Sequence, residues 1–341
     1  RLIRSNGVIS FITSNKYMRS KYGEKFRQSV RDNAVIDFLI DFRDLSIFEV
    51  IAYASIIQMQ WQKPSNSHTF SAMVEVSESD VDRLHYALSE NGFCIEQSHL
   101  KNDGWNFSGD VAKTILQKLH TNTTLLGDLV KRHFYKGLNT GLNVAYEITR
   151  EQYDYFVRID PKNQEILKRW LRGRDIKRWN SEPKLYFIAT AIGVDLRQYP
   201  AVYDHMLQFK DKLEVRSDYK PGRMEWYHLR SCDYYDEFEK PKIVWGNLST
   251  SPQFTLDTSQ SYVNIPANTI TADNVTLAYL LGVLNSSVNQ YFMELTGATR
   301  QNGYIEYKPI YLKRLPIPNA PADLRERIAA AARACLDAAK D

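Results

Sequence analysis

The sequence predicts an α/β segment followed by a mixed α+β domain, and three observations support this fold class. Apolar runs of strand length and one amphipathic helix alternate over residues 1–62, which is typical of an α/β sheet. After residue 62, short strands, helices and turns alternate without a long βαβ series. A length of 341 residues with 43% hydrophobic and 25% charged residues is sufficient for two globular domains.

The α/β segment begins with an apolar strand at residues 7–13, followed by a basic amphipathic helix at 21–31. Two more strands are predicted at 35–42 and 53–61, and the polar turn at 63–67 ends the second of them. Strand–helix–strand–strand order resembles the closing half of a Rossmann-like sheet of the class I methyltransferase type. The opening half, which would carry the cofactor loop, has no counterpart in the sequence.

A further strand at 70–76 and two helices at 80–91 and 111–119 complete the first part, and Gly92 is expected to end the first of these helices. We place the domain boundary so that residues 1–105 form the end of the sheet domain with its linker and residues 106–341 the second domain. The second domain is predicted to contain helices at 165–171, 200–213, 276–295 and 321–339 and strands at 185–190, 242–245 and 253–256.

Basic and acidic residues are unevenly distributed, although the net charge is only +4. Residues 1–31 are basic with Glu24 as their single acid, residues 71–110 are acidic, and residues 168–178 carry six basic side chains beside Asp175. Two basic blocks around an acidic stretch suit a protein with one charged working face, and solvated helix faces are the alternative.

The three cysteines are scattered and form no CxxC pair, and the seven histidines have no paired metal spacing. A disulfide framework or zinc ribbon is therefore not expected. No apolar run reaches membrane-spanning length and no signal peptide is visible, so we expect a cytoplasmic protein without a membrane partner.

Two elements of a methyltransferase active site are missing from the sequence. There is no GxGxxG or equivalent cofactor turn, and no Pro-Pro of the Asn/Asp-Pro-Pro-aromatic tetrapeptide that holds an exocyclic amine. We therefore expect the chain alone to be catalytically inactive, with no catalytic, metal or cofactor site of its own.

Seven segments together resemble the end of TaqI-like adenine-N6 DNA methyltransferases and type IIG restriction–modification enzymes, including their C-terminal specificity domain. In order, they are GVISFITSNKY (7–17) with YG (22–23) and FR (26–27), DF (41–42) through IF (47–48) to ASII (54–57), GLNTGLN (137–143), LRGRDIKRW (171–179), KPKIV (240–244), LLGVLNS (280–286) and LPIP (315–318). The resemblance implies a C-terminal fragment that binds double-stranded DNA and selects the site for adenine-N6 methylation. It further implies that a missing N-terminal methyltransferase or nuclease portion binds S-adenosylmethionine, and Mg²⁺ if the parent protein cleaves DNA.

The same resemblance points to Phe48 as the aromatic that stacks on the flipped-out adenine. A base that leaves the duplex loses stacking energy, and an aromatic side chain restores part of it. Burial at a strand end is the alternative for Phe48, and the Glu49 that follows is unusual for a phosphate-contacting site.

The loop at residues 172–178 is the principal DNA-binding candidate. Arginine forks onto guanine O6 and N7, and Gly173 allows close backbone approach. Contact with phosphates alone is the alternative for this loop. Its candidate contacts are Arg172, Arg174, Lys177 and Arg178.

Three further polar segments are candidates for contacts with DNA, with structural turns or solvated helix ends as alternatives. Short polar residues next to glycines suit phosphates or base edges, and α/β sheets place ligands at the carboxyl ends of their strands. The candidates are Lys136, Asn139 and Thr140; Arg300, Gln301 and Asn302; and Lys16 and Arg19.

Two other functions remain open at this point. One is a non-catalytic module that binds a protein partner. The other is a self-contained, metal-dependent nuclease, because Asp175 with Glu182-Pro183-Lys184 loosely imitates a nuclease motif, although Pro183 removes an amide that a strand would need.

Overall fold

The computed structural model describes residues 4, 7–48, 53–74, 76–102, 104–105, 107, 110–230, 232–272, 276–300 and 303–340. The chain divides into two compact units. Unit 1 comprises Arg1–Thr121 with Glu294–Ile305, and unit 2 comprises Asn122–Met293 with Glu306–Asp341. The predicted boundary after residue 105 falls inside unit 1, where Trp105 and Phe107 are buried in the core.

The helices and strands of the first 121 residues are β1 (Val8–Ser14), α1 (Glu24–Asn33), β2 (Val35–Ser46), β3 (Tyr53–Gln60), β4 (Thr69–Val74), α2 (Leu84–Asn91), β5 (Phe93–Glu96) and α3 (Asp110–Leu119).

The remaining elements are β6 (Thr123–Leu125), α4 (Leu126–Val130), β7 (Phe134–Lys136), α5 (Asn143–Tyr146), β8 (Glu147–Ile148), α6 (Arg150–Ile159), β9 (Leu167–Leu171), β10 (Ile176–Lys177), β11 (Asn180–Ser181), β12 (Leu185–Ile188), α7 (Pro200–Leu207), α8 (Lys210–Glu214), β13 (Lys242–Trp245), β14 (Leu248–Ser249), β15 (Phe254–Asp257), β16 (Tyr262–Val263), β17 (Asn268–Ile270), α9 (Leu277–Leu284), α10 (Ser287–Thr296), β18 (Thr299–Arg300), β19 (Tyr304–Glu306), α11 (Pro309–Leu312), β20 (Pro316–Pro318) and α12 (Ala322–Ala338).

Unit 1 is built on a five-stranded sheet of order β1-β3-β2-β4-β5. β3 runs antiparallel to both of its neighbours, β2 and β4 are parallel, and β5 is antiparallel to β4. β2 and β3 contribute buried side chains to two core clusters, with Leu39 and Ile57 in one and Ile40 and Ala54 in the other. β1 is the edge strand, and six of its seven residues are exposed.

Gly23 and Arg27, which belong to the YG and FR motifs, position α1 next to the segment that follows β1. A Cβ atom at Gly23 would lie 2.1 Å from the Tyr17 carbonyl oxygen, so only glycine fits at the start of α1. The buried Arg27 guanidinium donates to the carbonyls of Tyr17, Ser20 and Asn102. These bonds fix α1 against the segment that follows β1.

Unit 2 contains two four-stranded sheets, β16-β9-β12-β8 and β15-β13-β17-β7, together with smaller pairs. Trp170 and Phe187 stack at 4.2 Å between ring centroids in its main core, where the ring of Tyr262 packs against Phe187. The predicted mixed α/β class is confirmed, and the structure divides its strands among several small sheets.

Three predicted helices of unit 2 differ from the structure. Residues 200–213 form two helices, α7 and α8, because the Phe209 amide donates to the Met206 carbonyl in a turn between them. Residues 165–171 were expected to be helical, but β9 occupies Leu167–Leu171, because β12 and β16 pair with it on either side. Residues 276–295 form two helices, α9 and α10. The chain breaks between them at Asn285, whose side chain bonds the backbone of Phe254.

No helix among the described residues has both the length and the apolar character needed to cross a membrane.

Candidate functional site

The predicted basic loop lines a groove on unit 2, together with the strand that follows it. β10 and β11 form a short antiparallel hairpin in which Ile176 lies opposite Ser181 and Lys177 opposite Asn180. The groove has a volume of about 470 Å³. We call it the basic groove, and it is lined by Arg172, Arg174, Asp175, Lys177, Asn180, Ser181, Glu182 and Lys184.

Arg172 is held within the fold by Asp175. Its Nε donates to Oδ2 of Asp175 at 2.9 Å, and its Nη2 donates to Oδ1 at 3.0 Å. The backbone amide of Arg172 donates to the same carboxylate at 3.0 Å, and Asp175 is buried. This bidentate pair raises the pKa of Arg172 and closes the loop as a cap. Arg172 therefore shapes the groove from within.

Arg178 and Trp179 anchor the tip of the hairpin to the core of unit 2. Arg178 Nη2 donates to the Asn285 carbonyl at 2.7 Å, and the Trp179 amide donates to the Phe254 carbonyl at 3.0 Å. The buried Asn285 side chain accepts from the Phe254 amide at 3.1 Å and donates to its carbonyl at 2.9 Å. The LLGVLNS motif thus supplies the anchor for the basic loop.

The side chains that remain for a ligand are Arg174, Lys177, Glu182 and Lys184. All four are exposed. Within the described ranges, none of them forms an ion pair or a side-chain hydrogen bond. The charges of Arg172 and Asp175 cancel. The three remaining cations outnumber the one remaining carboxylate, so the groove carries a net positive charge. The groove suits a polyanion with hydrogen-bonding groups.

The 137–143 loop uses two of its candidate residues for its own conformation. Thr140 is fully buried, and its hydroxyl donates to Asn143 Oδ1 at 2.6 Å and accepts from the Leu142 amide at 3.2 Å. Asn139 Oδ1 accepts from the amide of Gly141 at 3.1 Å. Both side chains therefore stabilise the turn.

Lys136, in contrast, is exposed at the end of β7. It lines a separate groove of about 420 Å³ that also contains Asn247, Ile265 and Lys308. Its exposed position is compatible with the predicted DNA contact, which stays a prediction. This second groove shares no lining residue with the basic groove.

Among the described residues, four of the predicted contact residues lie in unit 1, and Arg300 is one of them. Lys16 is exposed on the 3-10 turn after β1, whereas Arg19 Nη1 donates to the Gly297 carbonyl at 3.1 Å. Arg300 is half-buried on β18, which pairs with β19 and packs against β2. Gln301 and Asn302 lie outside the described residues.

Phe48, the fourth, follows β2, and 42% of its surface is exposed. A buried carboxylate that the sequence analysis did not single out shapes this connection. Asp41 Oδ1 accepts from Asn15 Nδ2 at 2.8 Å and from the Arg43 amide at 3.0 Å, where Arg43 has a φ of 49°. An acidic residue inside an apolar strand was the available signal. An exposed Phe48 suits a stacking role, which stays a prediction.

The proposed nuclease motif does not assemble a metal site. Its Asp175 carboxylate is engaged by Arg172. Among the residues that the structure describes, no three His, Cys, Asp or Glu side chains lie together in a way that could hold a metal ion.

Comparison with known proteins places two family matches on the chain. Residues 168–317 match the TaqI-like C-terminal specificity domain, and residues 1–48 match the Eco57I restriction-modification methylase. The basic groove lies within the first match. The predicted resemblance to TaqI-like and type II restriction–modification enzymes is confirmed by these matches.

The curated proteins to which the chain is similar are consistent with these family matches. The chain is 22% identical to the type II methyltransferase M.BstVI of Geobacillus stearothermophilus over 352 residues, which cover 96% of this chain and 61% of the relative. It is 21% identical to the type II methyltransferase M.PaeR7I of Pseudomonas aeruginosa, covering 97% of this chain and 59% of the relative. The chain therefore spans about three fifths of the length of these relatives.

A solved structure shares the fold. The type IIL restriction-modification enzyme MmeI in complex with DNA aligns with a TM-score of 0.60 at 14% identity, over 99% of this chain and 42% of that chain.

Proposed function

We propose that this chain is the target-recognising part of a restriction–modification DNA methyltransferase, which binds double-stranded DNA and selects the site for adenine-N6 methylation by a longer protein. The basic groove is the observation that carries the proposal. It lies in the segment that matches a specificity domain, and it presents exposed cations without protein partners in the described ranges.

The anchors of the loop matter for this function. A binding site works best when its groups are held in place before the ligand arrives, because less conformational entropy is lost on binding. Arg172 with Asp175 and Arg178 with Asn285 fix the backbone on both sides of Lys177. Arg174 and Lys177 are then free to contact phosphates or the edge of a guanine.

The exposed edge of unit 1 supports the existence of a longer protein. β1 pairs with β3 on one side, and Val8, Phe11 and Ile12 are between 46% and 59% exposed. Edge strands of globular proteins are usually short, charged or covered. We propose that strands and helices outside this chain complete the sheet at β1, as in a class I methyltransferase. The order β1-β3-β2, with β3 antiparallel to both neighbours, agrees with the resemblance to the end of such a sheet.

The residues of this chain do not fit a methyl-donor site. The sequence has no Gly-rich cofactor turn, and β1 continues directly into the 3-10 turn Asn15–Met18, in which Tyr17 and Met18 are buried. We therefore assign S-adenosylmethionine, and Mg²⁺ if the parent protein cleaves, to the portion that completes the sheet. In that assembly Phe48 would stack on the flipped adenine.

The test measures binding of the 341-residue chain to a mixed-sequence duplex between about 50 and 200 mM salt. Wild-type binding should weaken steeply with salt. The variant Arg174→Ala/Lys177→Ala should bind more weakly at every salt concentration. The slope of the logarithm of the binding constant against the logarithm of the salt concentration should become smaller, by the amount that about one to two lost phosphate contacts produce. The control Lys212→Ala removes an exposed lysine of α8 outside the groove and should leave the slope unchanged.

Weak, salt-independent binding of the wild type, or a double variant that behaves like Lys212→Ala, would reject DNA binding through the basic groove. The protein-interaction alternative would then be preferred, since an apolar interface depends little on salt.

A further inference from the structure

We infer that Glu182 determines part of the DNA specificity by accepting a hydrogen bond from the amino group of a cytosine. This inference rests on the proposed function and deepens it. The observation behind it is an exposed carboxylate beside three exposed cations: Glu182 shares the basic groove with Arg174, Lys177 and Lys184, whereas the other carboxylate of the groove, that of Asp175, is bound by Arg172.

The hairpin geometry gives Glu182 a defined direction. Its backbone amide donates to the Asp175 carbonyl at 3.0 Å, which extends the pairing of Ile176 with Ser181 by one step. Directly opposed residues and those two positions apart share a face of an antiparallel pair. Glu182 therefore lies on the same face as Lys177 and Asn180. Ile176, which is 1% exposed, lies on the other face and packs in the core.

A carboxylate on this face opposes phosphate binding, because like charges repel and the groove would attract DNA more strongly without it. Glu182 does not support the fold through its side chain either, since within the described ranges that side chain has no ion pair or hydrogen bond. Arg172 and Asp175 hold the loop without it. The carboxylate is thus neither a phosphate contact nor part of the anchors.

Base edges offer what phosphates do not, namely hydrogen-bond donors. In the major groove cytosine presents its N4 amino group, to which a carboxylate is complementary, while its partner guanine presents the O6 and N7 acceptors. Arg174 lines the same groove and supplies donors for such acceptors. Glu182 and Arg174 together carry the acceptor and the donors that match one C·G base pair.

The test uses the 341-residue chain with Glu182→Ala, and Glu225→Ala as a control that removes an equally exposed carboxylate of unit 2 outside the groove. Bound duplexes are selected from a randomised library and sequenced. The wild type should enrich a C·G pair at one position, and Glu182→Ala should reduce that preference by about 5- to 150-fold, the discrimination given by one good base contact. Glu225→Ala should keep the preference.

Binding of each variant to one fixed mixed-sequence duplex provides the second readout. Glu182→Ala should bind this duplex as tightly as the wild type or more tightly, because a negative charge has left the groove. Circular dichroism of the variant checks that it remains folded.

If Glu182→Ala keeps the wild-type preference, or if the wild type enriches no C·G pair, the inference is overturned even when the salt test supports DNA binding. If Arg174→Ala/Lys177→Ala leaves binding unchanged, the proposed function itself fails. The two failures are therefore distinguishable.

Discussion

β1 and β13 both consist mainly of apolar residues, but they lie in opposite environments. β13 is the second strand of its sheet, it pairs with β15 and β17, and all of its residues are buried. β1 is an edge strand, and large apolar side chains are exposed along it. Even a lysine of β13 is enclosed: Lys242 is 0% exposed and donates to the Asp257 carboxylate and the Phe238 carbonyl.

This difference teaches that burial, and not apolar composition, separates an interior strand from an edge strand. The β13 sheet satisfies its charges and apolar surface within the chain. The β1 edge exposes the apolar side chains of Val8, Phe11 and Ile12 instead. The predictions below test the two strands against each other, from the largest expected effect to the smallest.

The largest effect is expected for Lys242→Ala in β13. The change leaves the buried Asp257 without its cation, which should lower the free energy of unfolding by about 3–5 kcal/mol. Lys240→Ala, at an exposed position two residues earlier, should cost at most about 1 kcal/mol. Denaturant titration of both variants measures this. Equal effects would mean that the Lys242–Asp257 pair contributes no more than a surface pair.

Ile57 and Phe11 provide a matched test on the other strand, because they lie directly opposite each other in the β1–β3 pair. Ile57 is 1% exposed and Phe11 is 58% exposed. Ile57→Ala should lower the free energy of unfolding by about 2–5 kcal/mol, whereas Phe11→Ala should change it by less than about 0.5 kcal/mol. Chemical denaturation followed by circular dichroism reports both. A large loss for Phe11→Ala would show that β1 is already covered in solution.

In the basic groove, Arg172→Ala should cost about 1–3 kcal/mol of stability, because the buried Asp175 loses its partner. Arg174→Ala should leave the melting temperature nearly unchanged and weaken DNA binding instead. Thermal melting and salt titration of the two variants separate these roles. The assignment of Arg172 to the fold fails if both variants melt like the wild type.

The smallest effect is the pH dependence of the β13 sheet. Burial alone would raise the pKa of Asp257, but Lys242 and Ser259 outweigh it and hold this pKa below its usual value. A carboxyl group whose pKa is depressed by folding stabilises the protein above the unfolded pKa, and this contribution is lost as the pH falls through the folded pKa. The free energy of unfolding should therefore decrease below about pH 4.

The double variant Lys242→Met/Asp257→Leu removes both charges, and it should show a smaller decrease over this pH range. Equal acid sensitivity of variant and wild type, measured by urea titration at pH 3 to 6, would assign the effect to other carboxyl groups.

Patterns that depend on neighbours in the chain were predictable. β2 and β3 were identified because they are apolar runs of strand length, and Gly92 ends α2 as expected. The predicted basic loop contributes Arg172, Arg174 and Lys177 to the lining of a groove, and their contact with DNA stays a prediction.

Features that depend on distant partners were not predictable. β9 was taken for a helix because its strand state comes from β12 and β16. Asp175 follows both Arg172 and Arg174 in the sequence, and only the turn decides that Arg172 binds it. Thr140 has a polar side chain, but the loop buries it.

The segment 294–305 belongs to unit 1, although most of the sequence around it belongs to unit 2. The chain consequently passes between the units three times, after residues 121, 293 and 305. A chimera that exchanged everything after residue 121 with a relative would also import a foreign 294–305 segment, whose carbonyl at position 297 must still accept from Arg19. Transplanting unit 2 of this protein thus requires three junctions, with the host keeping its own copy of those twelve residues.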